Sequence, residues 1–208
     1  MKTTATAIAG VLIFLGFAIL PLLAAETQEL LKNADFEEDR NGDGRADHWF
    51  SYPNSLSTSS DPVIRTVRET NDAASGKSYI QISRSSGKGT LNFSQHIPLQ
   101  TPELQAIRSN PGGTLALKGK IRNGPDGGNA AIFAILIFQS TNDPSRKLTE
   151  KVTTPIVSAI NQWEEVCITF KVADIIPPNS ELIAIDVNLQ LISSKGSADF
   201  DDFSLKFE

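Results

Sequence analysis

The sequence has one cysteine, two histidines and few aromatic residues, and these shortages exclude several kinds of protein. Only 7% of the 208 residues are aromatic, and Cys167 is the single cysteine. A lone cysteine cannot form an internal disulfide bond, so the chain is not a disulfide-stapled scaffold. His48 and His96 fit no metalloprotease or nucleophile motif. The fold must therefore rest on a hydrophobic core, which a chain of this length can bury.

Long hydrophobic runs are absent after the first residues. The one such run, Ile8 to Leu23, follows Lys2 and precedes two alanines, which is how an export signal is built. Its sixteen residues are fewer than the roughly 20 that a membrane-spanning helix needs. We predict a signal peptide over 1–25, with an uncleaved anchor as the alternative. A single domain over 26–208 would then be secreted, periplasmic or held at the cell envelope.

The charge balance of the predicted mature chain is acidic. Removing the signal removes only Lys2 among the charged residues, which leaves 18 basic and 24 acidic side chains. A net charge near −6 gives no electrostatic footprint for nucleic acid or an anionic membrane. We therefore expect no nucleic acid partner, and no membrane contact beyond the signal segment.

Hydrophobic residues recur mainly at every second position, in short runs separated by Gly, Asn, Asp and Pro. Leu115, Leu117 and Ile121, for example, would share one face of a strand. About ten such runs predict an all-β fold, a two-sheet antiparallel jelly-roll sandwich. The predicted strands are 30–36, 47–52, 62–68, 78–84, 89–97, 114–121, 129–140, 147–153, 166–171, 181–192 and 203–207. A short helix is possible over 102–109.

Two segments are predicted to be buried. Ala130 to Phe138 is apolar at nine successive positions, which is typical of a central strand covered on both faces. The alternative is that strand 129–140 presents an apolar contact surface. Cys167 lies between Val166 and Ile168 and is interpreted as a small core residue, with an intermolecular disulfide as the alternative.

Four ordered motifs extend over almost the whole predicted mature chain. They are Asn33-Ala34-Asp35-Phe36-Glu37 with Asp47-His48-Trp49, Ala73-Ala74-Ser75-Gly76-Lys77-Ser78-Tyr79-Ile80, Trp163-Glu164-Glu165-Val166, and Gly196-Ser197-Ala198-Asp199-Phe200-Asp201-Asp202-Phe203-Ser204-Leu205. In this order the sequence resembles carbohydrate-binding modules of families four, nine and twenty-two, which have a galactose-binding-like jelly roll. The resemblance implies a non-catalytic protein that binds a polysaccharide or a cell-surface glycan, with Trp49 and Trp163 at core positions.

The resemblance also implies a structural calcium ion. The carboxylates of Glu37 and Asp201 would bind it, together with main-chain oxygens near Asp35 and Lys77 or Ser78. Oxygen ligands are those that calcium takes. Asp201 has the same parity as Phe203 in its strand, which predicts a carboxylate turned toward the core, and a buried charge needs a partner. The alternative is that the two carboxylates only flank a sheet edge.

A second candidate calcium site lies in the loop 39–47. Its side-chain oxygens stand at relative positions 1, 3, 5 and 9, and Gly44 stands at position 6, as in the first part of a helix–loop–helix calcium loop. Phe50 occupies position 12, where such a loop has a bidentate Glu. The alternative is a turn rich in Asp and Asn that needs no ion. The four residues are Asp39, Asn41, Asp43 and Asp47.

Nothing in the sequence assembles into an enzyme active site. Carboxylate pairs such as Glu164-Glu165 are adjacent, and adjacent residues of a strand point to opposite faces. The predicted ligand-binding residues are instead one exposed ring and three polar strand residues: Tyr52, Asn188, Gln190 and Arg122. Sugar binding is the first hypothesis. A structural or adhesion module of the cell envelope, which associates with itself through strand 129–140, is the second.

Overall fold

A computed structural model describes residues 28–52, 61–87, 90–110, 112–193 and 195–207. The predicted signal peptide 1–25 lies outside these residues. Within them, no helix has both the length and the apolar character needed to cross a bilayer.

The described chain is almost entirely β-structure. Helix α1 spans Thr101–Ser109, as predicted, and a single turn of helix, α2, spans Val172–Ile175. The strands are β1 Gln28–Glu29, β2 Phe50–Tyr52, β3 Val63–Val67, β4 Tyr79–Arg84, β5 Leu91–Pro98, β6 Leu115–Asn123, β7 Ala130–Ser140, β8 Lys147–Thr153, β9 Glu164–Phe170, β10 Ser180–Leu191 and β11 Gly196–Phe207.

The strands form two antiparallel sheets. Sheet A has the order β3-β4-β11-β6-β9, with β1 also paired to β11, and sheet B has the order β2-β5-β10-β7-β8. The sheets pack face to face, so each strand turns one set of alternate residues into the core between them. The predicted all-β jelly-roll sandwich is confirmed.

The core follows the alternation in the sequence. On β6, Leu115, Leu117 and Ile121 are fully buried, while Lys118 and Lys120 lie on the outer face of sheet A. Each such aliphatic side chain contributes about 1.5–3 kcal/mol of burial free energy. An aromatic cluster joins the segment before β2 to the sheets, because the Trp49 ring lies 5.2 Å from that of Phe36 and 5.8 Å from that of Phe93.

The predicted strand 30–36 is wrong. β1 ends at Glu29, before this range, and the chain then turns, because Asn33 and Phe36 have positive φ angles of 48° and 59°. Positive φ is incompatible with a continuing strand. The predicted strand 47–52 is likewise shortened to β2, since His48 has a φ of 70°.

Strand β7 is covered on both faces, as the first of the two interpretations predicts. It lies between β10 and β8, and its inner residues Ile132, Leu136 and Phe138 are fully buried. On its outer face Phe133 is only 3% exposed and Ile135 is half-buried. The large hydrophobic residues recorded as exposed are elsewhere: Phe50, Ile156, Ile160 and Ile176. The structure therefore gives no support to an apolar contact surface on this strand.

Cys167 is exposed, so its interpretation as a core residue is wrong. It lies opposite Lys118 on β9, the last strand of sheet A, and shares the outer face with that lysine. Val166, in contrast, faces the core and is buried. A strand at the edge of a two-sheet sandwich has one buried face, and alternation puts Cys167 on the other.

Candidate functional site

The turn 73–78 brings Glu37 and Asp201 together. Glu37 Oε1 accepts hydrogen bonds from the backbone N–H groups of Lys77 and Ser78, at 2.7 and 2.8 Å. Asp201 Oδ2 accepts hydrogen bonds from the N–H groups of Ala74 and Ser75, at 2.7 and 2.9 Å. The two carboxylates, far apart in sequence, therefore hold opposite ends of one short turn.

Asp201 is buried, but not because its side chain points into the core, as strand parity predicted. A β-bulge between Asp201 and Ser204 shifts the register of β11 against β6, and Asp202 has a φ of 55°. Before the bulge, Phe200 faces the core, and after it Phe203 does. Asp201, opposite Lys120, therefore starts on the outer side of sheet A, and the inference from strand parity is wrong. It is nevertheless fully buried, because the turn 73–78 covers it.

The two carboxylates have opposite pKa shifts. Burial is the largest influence on Asp201 and raises its pKa to about 6, although three backbone N–H groups act in the other direction. Burial also acts to raise the pKa of Glu37, but hydrogen bonds from Lys77 and Ser78 and the charge of Arg68 together lower it. Asp201 is thus a carboxylate whose ionisation the protein disfavours.

The carboxylate oxygens of Glu37 and Asp201 are ligands of the chemical type that a hard cation such as calcium takes. The ion pairs recorded among the described residues do not include Asp201, so a fully buried carboxylate has N–H donors but no cationic side chain. A carboxylate offers about four lone-pair sites, and three are used on each of Glu37 and Asp201. In the described ranges no three His, Cys, Asp or Glu side chains cluster as a metal site, so main-chain oxygens would have to complete the shell.

The main-chain positions predicted to assist lie close by. The carbonyl of Lys77 accepts a hydrogen bond from the N–H of Thr70 at 3.2 Å. Asp35 is exposed, and its Oδ1 accepts a hydrogen bond from the N–H of Glu37 at 3.4 Å. Lys77 thus contacts the carboxylate of Glu37 through its N–H group, and Asp35 contacts the backbone of Glu37. Coordination of an ion by the main-chain oxygens stays a prediction.

Gly76 is a sensitive position in this turn, and we expect Gly76→Ala to destabilise the protein by about 2–3 kcal/mol. Gly76 has a φ of +57°, and a Cβ there would lie 2.3 Å from Glu37 Oε1. Gly42→Ala is the matched control, because Gly42 has a φ of +70° and open space around it. It should cost only the backbone strain of about 1 kcal/mol. Equal losses in urea denaturation would show that the Glu37 contact is unimportant.

The second candidate loop, 39–47, is closed by its own side chains. Asp39 accepts hydrogen bonds from the N–H groups of Asp43 and Gly44, at 3.2 and 3.1 Å. Asp47 Oδ2 accepts from the N–H of Arg40 at 2.9 Å, and Asn41 Oδ1 accepts from the N–H of Asp43 at 3.0 Å. The guanidinium of Arg68 lies 3.4 Å from the carboxylate of Asp39. It provides the positive charge that a bound calcium ion would otherwise provide.

Residues at paired positions of neighbouring strands form rows across the outer face of sheet B. Directly opposite residues of antiparallel strands share a face. One row runs Phe50, Ser94, Asn188, Phe133, and the next runs Tyr52, Asn92, Gln190, Ala131. A third row on the other side runs His96, Asp186, Ile135, Lys151. We call these three rows the sheet B face.

Hydrogen bonds fix the polar side chains of the sheet B face. Ser94 Oγ donates to Asn188 Oδ1 at 2.6 Å, and Gln190 Nε2 donates to Asn92 Oδ1 at 2.9 Å. His96 Nδ1 lies 2.6 Å from Asp186 Oδ1. Each bond joins β5 to β10, so the side chains are held in defined orientations.

Exposure differs between the centre and the margin of this face. Ser94, Asn188 and Gln190 are exposed by no more than 9%, and the ammonium of Lys151 lies 3.7 Å from the centre of the buried Phe133 ring. At the margin, Phe50 is 41% exposed. The face therefore combines a fixed polar centre with an accessible aromatic ring.

The structure separates the four predicted ligand-binding residues. Asn188 and Gln190 lie together on the sheet B face, and Tyr52 ends β2 beside them, although its side chain lies outside the described part of the structure. Arg122 lies on sheet A, where its Nε and Nη2 donate to Asp199 Oδ2 at 3.0 and 2.9 Å. Arg122 therefore does not join Asn188 in one site.

Trp163 is not a core residue, contrary to the expectation from the resemblance. Its ring lies on the outer side of sheet A, 4.6 Å from the guanidinium carbon of Arg122 and 5.9 Å from the Tyr79 ring. The other tryptophan, Trp49, is 5% exposed and lies in the core as expected.

Sequence reasoning missed Phe50, Ser94 and Phe133 on the sheet B face. The sequence patterns place Phe50 only at position 12 of the candidate calcium loop, where it does not match the expected Glu. They place Phe133 only within an apolar run. Strand parity could have placed each on a face, but the register that aligns them with Asn188 comes from the pairing of β2, β5, β10 and β7. That pairing joins strands distant in sequence.

No protein-family model matches the sequence, and no curated protein matches it. The fold does resemble solved structures. The CBM22-1 xylan-binding domain of Paenibacillus barcinonensis Xyn10C superposes with a TM-score of 0.54 at 12% identity, over 87% of this chain and 95% of that one. A cyclase from Fischerella sp. TAU gives 0.55 at 14% identity, over 88% and 98%.

The enzymatically active domain of Bacteriophage CBA120 tailspike protein 4 gives a TM-score of 0.54 at 13% identity. The match covers 86% of this chain but only 21% of the phage chain. At these identities the likeness shows the fold alone. The chain therefore has the jelly-roll fold of carbohydrate-binding modules, a fold that is also found in enzymes.

Proposed function

We propose that the protein is an exported, non-catalytic carbohydrate-binding module that binds a polysaccharide chain on its sheet B face. The observation that carries this proposal is the row Phe50, Ser94, Asn188, Phe133, which crosses four strands. Ligand sites combine apolar and aromatic surface with a few fixed polar groups, and this row has both. The xylan-binding relative with the same fold supports the choice of ligand class.

The chemistry of the row suits a sugar chain. An exposed ring such as Phe50 can stack on the apolar face of a pyranose. The Asn and Gln side chains beside it offer both donors and acceptors, which sugar hydroxyls require. Since neighbouring strands lie about 4.8 Å apart, the row extends from the exposed Phe50 ring across Ser94 and Asn188, which are only 4% and 6% exposed, so Phe50 is its main contact for a sugar ring.

A non-catalytic role fits the same residues. Glycoside hydrolysis commonly uses two carboxylates on opposite sides of the scissile bond. The three rows contain one carboxylate, that of Asp186, and it pairs with His96. Binding without cleavage is therefore part of the proposal, and assay of the same polysaccharides for released reducing ends tests it.

The proposal includes a structural calcium ion between Glu37, Asp201 and main-chain oxygens of the turn 73–78. An ion that binds only the folded protein raises its melting temperature by mass action. We expect calcium to raise the melting temperature and a chelator to lower it. Identical melting curves in calcium and in chelator would refute this part. Glu37→Gln and Asp47→Asn, compared in that assay, separate the turn from the loop 39–47.

We expect Phe50→Ala to weaken retention in affinity gels containing soluble xylan or β-glucan at least tenfold, a loss of about 1.4 kcal/mol. The variant removes the accessible ring of the row. Ile156→Ala is the matched control, because Ile156 is an exposed hydrophobic residue, at 58%, outside the row. Tyr52→Ala, at the end of the neighbouring row, should also weaken retention.

Two outcomes would reject the sugar-binding proposal. One is the absence of retention on every polysaccharide of the panel with calcium present. The other is equal retention of the unchanged protein and Phe50→Ala. Light scattering in the same buffer then tests the alternative, an adhesion module that associates with itself, which requires a stable oligomer.

A further inference from the structure

A second cleft lies on the outer face of sheet A, on the opposite side of the sandwich from the sheet B face. Its volume is about 370 Å³, within the range of small-molecule sites. Nine residues line it, and six of them are Tyr79, Gln81, Arg122, Asn161, Ser197 and Asp199. We call it the Arg122 cleft.

A hydrogen-bonded row fixes the polar groups of the cleft. Arg122 Nε and Nη2 donate to Asp199 Oδ2, and Gln81 Nε2 donates to Asp199 Oδ1 at 3.0 Å. Arg65 in turn donates twice to Gln81 Oε1, at 3.1 and 2.8 Å. The register Arg65, Gln81, Asp199, Arg122 crosses four strands of sheet A.

The guanidinium of Arg122 is also held by aromatic rings. Its carbon lies 4.6 Å from the centre of the Trp163 ring and 5.4 Å from that of Tyr79. Trp163 Nε1 and Arg122 Nη1 both donate to the carbonyl of Asp72, at 3.0 and 3.3 Å. The side chains are thus placed before any ligand arrives, which lowers the entropic cost of binding.

The network leaves hydrogen-bonding capacity unused. Arg122 has five N–H groups, of which three donate to Asp199 and Asp72, so two remain. The carboxylate of Asp199 accepts three hydrogen bonds and keeps about one lone pair. Two N–H donors beside a carboxylate with one free lone pair match a pair of adjacent hydroxyl groups. Both hydroxyls would accept a hydrogen bond from Arg122, and one of them would donate to Asp199.

The burial of this ion pair contributes little net stability to the fold. The side chains of Arg122 and Asp199 are only 16% and 7% exposed. Ion pairs that are desolvated to this degree give little or no net stability compared with hydrophobic residues of the same size. On the outer face of a sheet, both charges could remain exposed to water, which would avoid the free-energy cost of desolvation.

We propose that the Arg122 cleft is a second ligand site, which takes one sugar residue carrying two adjacent hydroxyls. The inference does not depend on the sheet B face, because no side chain is shared between the two. The experiment distinguishes a free or terminal sugar residue from a residue within a chain.

Tryptophan fluorescence of the full chain tests the proposal. Trp163 borders the cleft and the other tryptophan, Trp49, is buried in the core, so a ligand in the cleft should change the signal of Trp163. The probes are methyl β-xyloside, its fully O-methylated derivative, and xylohexaose. We expect a saturable change with the xyloside, none with the methylated derivative, and none in Trp163→Phe. Equal affinity for xyloside and xylohexaose assigns the site to a free or terminal residue, and tighter binding of xylohexaose assigns it to a residue within a chain.

Two variants change different side chains that line the Arg122 cleft. Arg122→Lys keeps the charge but loses the fork of donors, and it should weaken binding at least tenfold. Asn161 is exposed at the rim with a φ of 57°, so Asn161→Gly keeps the backbone and should weaken binding severalfold. Phe50→Ala, on the other sheet, should leave the fluorescence titration unchanged.

The absence of a saturable change up to about 50 mM xyloside, a concentration above any useful affinity, would overturn the proposal. So would an unchanged titration in both Arg122→Lys and Asn161→Gly. Loss of xylan retention in Phe50→Ala together with an intact fluorescence titration would support both sites, while unchanged xylan retention with an intact titration would remove only the sugar site on sheet B.

Discussion

In the presence of calcium, Asp201→Ala is expected to lower the free energy of unfolding by about 2–4 kcal/mol, and it should abolish any response to calcium. The carboxylate accepts hydrogen bonds from the N–H groups of Ala74, Ser75 and Asp202, at 2.7, 2.9 and 2.7 Å. Without it, these buried donors lose their partner, and the turn 73–78 loses its attachment to β11. Urea denaturation at pH 7, in calcium and in chelator, measures both effects.

The matched control is Asp202→Asn, at the neighbouring position. Asp202 pairs with Lys120 at 2.8 Å, but its side chain is 47% exposed, and such surface pairs contribute about 0–1 kcal/mol. Asparagine tolerates the positive φ of Asp202. Equal losses in the two variants would contradict the special role of Asp201.

In chelator, the stability of the protein should fall as the pH rises from about 4 to about 6. Asp201 has a pKa of about 6 in the folded protein, against an ordinary value of 3.8. Below both values the group is protonated in both states. Between them the folded state retains a proton that the unfolded state has lost, so raising the pH favours unfolding. Above pH 6 the penalty is complete, at about 3 kcal/mol.

Four other carboxylates have shifted pKa values and affect this profile, so the test is a comparison: Glu37, Asp61, Asp143 and Asp199. Burial raises the pKa of Asp199, which adds a contribution of the same sign. The lowered pKa of Glu37 acts oppositely, because its contribution is lost as the pH falls through the folded value. Asp201→Asn should therefore flatten the decline between pH 4 and 6 without removing the rest of the profile. A slope equal to that of the unchanged protein would show that Asp201 does not titrate there.

Local sequence patterns predicted most of the strands because alternation is a local property. The runs that became β3 to β8 and β10 are bounded by Gly, Pro and Asn, and their predicted limits lie within two residues of the observed ones. The failures occur where a single backbone angle interrupts alternation. Asn33, His48 and Asp202 all have positive φ, and none of these residues requires it by type.

The residues of the candidate calcium site and of the candidate ligand site were predictable only in part. The motif resemblance correctly brought Glu37 and Asp201 to one turn, but parity gave the wrong reason, because the bulge after Asp201 inverts the alternation of β11. Asn188 and Gln190 were found from the polar positions of one strand. Arg122 was assigned to the same group, since no local signal tells which of two sheets a strand joins.

The most direct test of the sheet B face is a titration of isotopically labelled protein with xylohexaose, followed by amide chemical shifts. We predict that the largest changes occur at Phe50, Ser94, Asn188 and Phe133 and their row neighbours, and that they saturate together. An absence of saturable shifts, or shifts confined to other strands and loops, would contradict the proposal that this face binds a polysaccharide chain.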